Sequence, residues 1–137
     1  MTVRDIVIYD NAIKEIVDDT SIDALIKFKL LGTCKQFEPV IANLTSVQND
    51  AIRKYGKADD DGNVAISIPN KEDFESDDDF KKASEEFEEA VAHFNEDIDK
   101  VLDSEVDIEI KKFKSTEIMN AGISANTLLG IWGLIEE

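Results

Sequence analysis

The chain is poor in the residues that most often carry chemistry. Its 137 residues include one cysteine, Cys34, and one histidine, His93. A lone cysteine excludes an internal disulfide and fits a reducing compartment. A lone histidine excludes both a two-histidine metal site and the HExxH helix of metalloproteases. No apolar run approaches the roughly 20 residues that span a bilayer. The N-terminal stretch meets Arg4, Asp5 and Asp10 before an apolar run matures, so it has no signal-peptide core. None of the glycines falls in a phosphate-binding loop pattern. The expectation is a soluble cytoplasmic protein with no cofactor, no metal and no membrane association.

Positive charge is also missing from the middle of the chain. Residues 59–109 hold twenty acids against Lys71, Lys81, Lys82 and Lys100. The flanking segments are balanced, so the whole formal charge of −16 arises in that third. Such a field repels nucleic acid and anionic lipid and draws basic partners inward. Direct binding of nucleic acid is therefore not expected.

What the chain does have is a 42% apolar fraction, enough for a core in a single domain spanning 1–137. Val3, Ile6, Val7 and Ile8 suit either a short strand or the lead into a helix carrying Ala12, Ile13, Ile16 and Val17. From Ser21, a plausible N-cap, Ile22, Ile26, Leu30, Cys34, Phe37, Ile41, Leu44, Ile52 and Tyr55 recur at helical spacing. Pro39 lies inside this run, and the unchanged phase of the stripe favours a kink over a break. Gly56 closes the helix, and Asp59-Asp60-Asp61-Gly62-Asn63 is the strongest turn signal in the chain.

Val64, Ile66 and Ile68 alternate as a short strand that Pro69 stops. Ser76 then caps a second long helix, whose stripe is Phe80, Ala83, Phe87, Ala90 or Val91, Phe94, Ile98 and Leu102. Val106, Ile108 and Ile110 read as another strand, free to pair with 64–68. Two short helices follow, one near 115–120 capped by Ser115 and one from Ser124. The fold class is α+β, mainly α: two long antiparallel helices, a small two-stranded ribbon and short C-terminal helices. Phe87, Phe94, Ile98, Ile26, Phe37 and Ile41 are expected to share one core.

Each motif with a chemical reading also has a plainer one. With Gly62 as the sixth position of a calcium loop, Lys57 falls at the first and Ile68 at the twelfth, where acids are required. The segment therefore reads as an ordinary acidic turn. His93, one turn from Glu89 and Asp97, reads as a partly exposed helix residue. Cys34 lies on the apolar stripe with no base marked beside it, so it reads as a small buried hydrophobe. The carboxylates of 72–109 read as a solvated helix face, not a catalytic pair, and no enzyme activity is expected. The C-terminal Leu128–Ile135 segment is the most apolar in the chain yet contains Gly130 and Gly133. Close packing against another backbone, or docking onto a partner, would each explain those glycines.

The run Arg53-Lys54-Tyr55-Gly56 followed by Asp59-Asp60-Asp61-Gly62-Asn63 resembles the "RxKLIEKYGxKDEDGN" region of a family of small tailed-bacteriophage proteins. Val106-Asp107-Ile108-Glu109-Ile110 and the short apolar end after Ile123-Ser124 are similar to the end of those proteins. The resemblance covers residues 9–137 in the order of elements, with departures at Pro39 and Asp77–Asp79. It implies a viral origin and assigns no activity.

The leading expectation is a non-enzymatic phage protein acting through protein–protein contacts, structural or in assembly, in the host-cell cytoplasm or the virion. The alternative is an acidic mimic of nucleic acid that inhibits a host defence or transcription protein. The residues expected to meet the phage or host protein partner are Asp78, Glu85, Glu86, Glu89, Glu96 and Asp99 on the charged helix, with Leu129 and Trp132 at the C-terminus.

Overall fold

Helix α1 (Val3–Val17) starts where Thr2 and Asp5 cap each other. The Thr2 hydroxyl accepts the Asp5 N–H at 3.2 Å, and the Thr2 N–H donates to the Asp5 carboxylate at 2.9 Å. That donated hydrogen bond holds the Asp5 carboxyl below its usual range. The computed structural model describes residues 1–136, and the first eight residues leave no room for a strand.

Helix α2 (Ala24–Tyr55) begins two residues later than a Ser21 cap implies. Asp23 is its cap, accepting the Ile26 N–H on its carboxylate at 3.2 Å and the Lys27 N–H on its carbonyl at 2.9 Å. Ser21 instead donates its hydroxyl to Asp19 at 2.7 Å, inside the preceding turn. A carboxylate is the better acceptor and already sits beside the free N–H groups, so Asp23 takes the role. The helix runs unbroken through Pro39, which is exposed and donates no hydrogen bond to the Lys35 carbonyl.

After α2, strands β1 (Lys57–Ala58) and β2 (Val64–Ala65) pair antiparallel, Lys57 opposite Ala65 and Ala58 opposite Val64. Helix α3 (Asp77–Leu102) follows, with Ser76 accepting the Asp79 N–H at 3.2 Å. Strand β3 (Phe113–Lys114) leads into α4 (Ser115–Met119), then α5 (Ala125–Gly130), a 3-10 turn at Trp132–Leu134 and β4 (Ile135–Glu136). β3 and β4 pair in parallel, Phe113 opposite Ile135. Lys114 occupies the cap position of α4, and its N–H donates to Glu117 at 3.3 Å, so Ser115 is the first helical residue.

Two expectations are corrected. The 64–68 segment pairs with β1, and residues 106–110 form no strand. The alternation at 106–110 is real, because Val106, Ile108 and Ile110 are half-buried while Asp107 and Glu109 are exposed. It records one face lying on a core, which an extended segment provides without a ladder partner. Val106 donates its N–H to the Met1 carbonyl at 2.9 Å instead.

The core also divides. The chain forms two compact units, one of residues 1–42 and 103–137 and one of residues 43–102. In the first, Ile6, Ile13, Ile26, Leu30, Phe37, Phe113, Ile118, Ile131 and Leu134 form one buried cluster, with Ile41 packed against it. Phe87, Phe94 and Ile98 belong to the second unit, where Ile98 is buried and both phenylalanines are half-buried. The six residues therefore do not make a common core. α1 and the C-terminal segment, not α3, cover the first stretch of α2. In the second unit, the end of α2 and α3 run antiparallel. Tyr55 reaches Asp97 at 2.6 Å, and Lys57, further along the chain, reaches Glu86, further back on α3.

Candidate interaction surfaces

The chemically suggestive residues are held in structural work. The Asp59 carboxylate accepts the N–H groups of Asp61 and Asn63, both at 2.9 Å, and Gly62 takes a φ of +84°. The aspartate closes a turn that needs glycine at its left-handed position. His93 stacks on Tyr55 with ring centroids 5.5 Å apart, and its Nε2 lies 3.7 Å from Glu89. Asp97 turns away to the Tyr55 hydroxyl, so the His93, Glu89 and Asp97 trio does not converge. Among the described residues no cluster of His, Cys, Asp or Glu is arranged to hold a metal.

Cys34 is half-buried beside Asp10, itself buried and paired with Lys14 at 2.6 Å. Burial, with the negative charge of Asp10 adding to it, pushes the thiol up to about 11. The group stays protonated at neutral pH, the opposite of what a nucleophile requires.

The charged face of α3 is as the period places it. Asp78, Glu85, Glu86, Glu89, Glu96 and Asp99 are all exposed. Asp78, Glu85, Glu89 and Glu96, spaced seven, four and seven residues apart, line one stripe. Glu86 lies at its border and pairs with Lys57, which holds its carboxyl below the usual range. Glu96 lies 3.5 Å from Lys100. The face is thus a carboxylate row with a few local counter-charges, directed to solvent.

The glycines of the C-terminal segment are explained by packing within the chain. A Cβ on Gly130 would lie 2.9 Å from the Ala12 Cβ, and one on Gly133 would collide with the Tyr9 ring and hydroxyl. The backbone of the segment thus lies directly against the Ala12 and Tyr9 side chains of α1, with no space for a Cβ as those side chains stand. Ile131 and Leu134 are almost fully buried by that approach. Leu129 and Trp132, on the other side, remain 71% and 54% exposed. The segment is docked by one edge and presents apolar side chains from the other.

Sequence reasoning missed a second apolar exposure. Leu25, Phe28 and Leu31 of α2 are 61%, 74% and 47% exposed. Their spacing of three places them on one side of the helix, outside the Ile22–Ile26–Leu30 stripe, and that offset is readable in the sequence. It also passed over Lys111, Lys112 and Lys114, a basic run in an acidic chain.

No helix of the described residues is long and apolar enough to cross a membrane. No protein-family model, no curated protein and no solved structure matches this chain.

Proposed function

We propose that this is a non-enzymatic bacteriophage protein that works by binding another protein, in the virion or during its assembly. The observation that carries the reading is the outward presentation of Trp132 and Leu129 from a segment pinned by Ile131, Leu134 and two close-packed glycines. Large apolar side chains held in place lose little entropy on docking, and tryptophan is a common interface anchor. The exposed Leu25, Phe28 and Leu31 add to the apolar surface of the same unit. The viral origin rests on the sequence resemblance alone.

The α3 carboxylate row favours a second reading, mimicry of a phosphate backbone toward a basic host protein. At about 1.5 Å rise per residue the row steps by roughly 10.5, 6 and 10.5 Å, a line of regularly placed negative charge that a phosphate-binding surface could meet.

Affinity capture from phage-infected cells separates the two. Under the assembly reading the captured protein stays bound as salt rises well above 0.2 M, roughly where exposed charge pairs are screened. Trp132→Ala with Leu129→Ala then abolishes capture. Loss of capture on neutralising Asp78, Glu85, Glu89, Glu96 and Asp99, with the apolar variant still binding, would replace the assembly reading with mimicry.

A further inference from the structure

The first unit contains a cavity of about 470 Å³ where α2 meets the segment leading into α4. Lys29, Lys111, Lys112 and Lys114 all line it, with Glu117 and Glu136 as its acids. Four of the chain's fifteen cations therefore converge on one concavity of a protein carrying −16.

The local pairing decides what remains available. Glu117 is committed, with one oxygen 2.7 Å from the Lys29 ammonium and the other accepting the Lys114 N–H at 3.3 Å. Those contacts, Lys29 first, hold its carboxyl below the usual range. Among the described residues, the Lys111, Lys112 and Lys114 ammoniums lie in no ion pair within 4 Å. Glu136 is the other carboxylate among the described residues of the lining. Among the described residues the surplus is two positive charges, with the exposed Gln36 amide adding neutral donors at the same wall.

We propose that this cavity binds the phosphate of a small phosphorylated molecule. A phosphate monoester carries about −1.5 to −2 at neutral pH and offers three strong acceptor oxygens, matching that surplus. Lysines suit it as mobile point charges. The volume falls within the range of roughly 300–1,000 Å³ typical of ligand sites and far exceeds a bare phosphate, leaving room for the organic part. Gly32 lies on the helix wall, where an added Cβ would meet nothing within 4 Å, so the backbone there is open to an approaching group. An extended nucleic acid fits less well, since the lysines are gathered in one concavity and form no stripe along the surface.

The test uses the full chain labelled with ¹⁵N and titrated with ribose 5-phosphate, ribose, inorganic phosphate and a single-stranded oligonucleotide. The expected result is saturable shifts at the Gly32, Thr33, Phe113 and Lys114 amides with ribose 5-phosphate, weaker ones with inorganic phosphate and none with ribose. Lys112→Gln with Lys114→Gln, both exposed side chains, should weaken binding about tenfold or more, as loss of charge-assisted bonds requires. Lys81→Gln with Lys82→Gln removes the same charge from α3 and should leave binding unchanged. Glu136→Gln should tighten it several-fold. Equal weakening by the two lysine pairs, or no shift at Gly32 and Thr33, would overturn the site. An oligonucleotide that binds more tightly than ribose 5-phosphate, increasingly with length, would replace it with a nucleic-acid surface.

Discussion

Residues 1–42 and 103–137 bury Ile6, Ile13, Leu30, Phe37, Ile118, Ile131 and Leu134 almost completely, whereas residues 43–102 bury only Leu44, Ala51 and Ile98 among their apolar side chains. The charges differ in the same sense. The first unit has fourteen acids to eight bases, the second seventeen to seven in a shorter stretch. One unit is held by close packing. The other relies on helix propensity, half-buried aromatic contacts such as Phe74 against Phe80 at 5.9 Å, and ion pairs. Two segments of similar helical content thus rest on different forces, and they should respond to different perturbations.

The sharpest way to break this comparison is to cut the same side chain from each unit. Phe37→Ala removes a fully buried ring and should cost about 3–5 kcal/mol in urea denaturation. Phe94→Ala removes a half-buried ring from α3 and should cost roughly 1–2 kcal/mol, since less area leaves contact and solvent fills the gap. Equal losses would mean the second unit has a core as tight as the first.

A smaller effect tests the packing inside the first unit. Gly133→Ala drives a methyl group into the Tyr9 ring and should destabilise by about 1–3 kcal/mol, visible as a lowered melting temperature. Gly32→Ala adds a methyl group to an open helix surface and should stabilise by about 0.5–1 kcal/mol. If both glycines behave alike, close approach is not what selects glycine at position 133.

The smallest effect should be confined to the second unit. Glu85 and Glu89 are like charges one turn apart on α3, so Glu85→Gln should stabilise by about 0.2–0.5 kcal/mol. Amide exchange should slow along α3 and stay unchanged in α1. A response spread over both helices would argue against separate support of the two units.

Much of this was legible in the residues. The long helices, the Ser76 cap, the DDDGN turn and the exposed acidic face all follow from period, capping chemistry and charge, which act over a few neighbouring positions. The partnerships were not. Nothing local to Val64 or Val106 tells which segment lies beside it, and in the fold Val64 pairs with Ala58 while Val106 bonds to Met1. The cap of α2 fell to Asp23 because two acceptors competed within three residues, a contest settled by geometry.

By itself the sequence determined the helices, their polar faces, the missing disulfide and the concentration of negative charge. Only the tertiary structure decided that α1 and the C-terminal segment cover the first stretch of α2, and that Lys29 joins Lys111, Lys112 and Lys114 around one cavity. It also decided that Trp132 and Leu129 face outward while their neighbours are buried. The physical reason is range. Propensity, capping and periodicity are settled between residues a turn apart, whereas burial and charge convergence depend on which distant apolar stripe lies closest once the chain has collapsed.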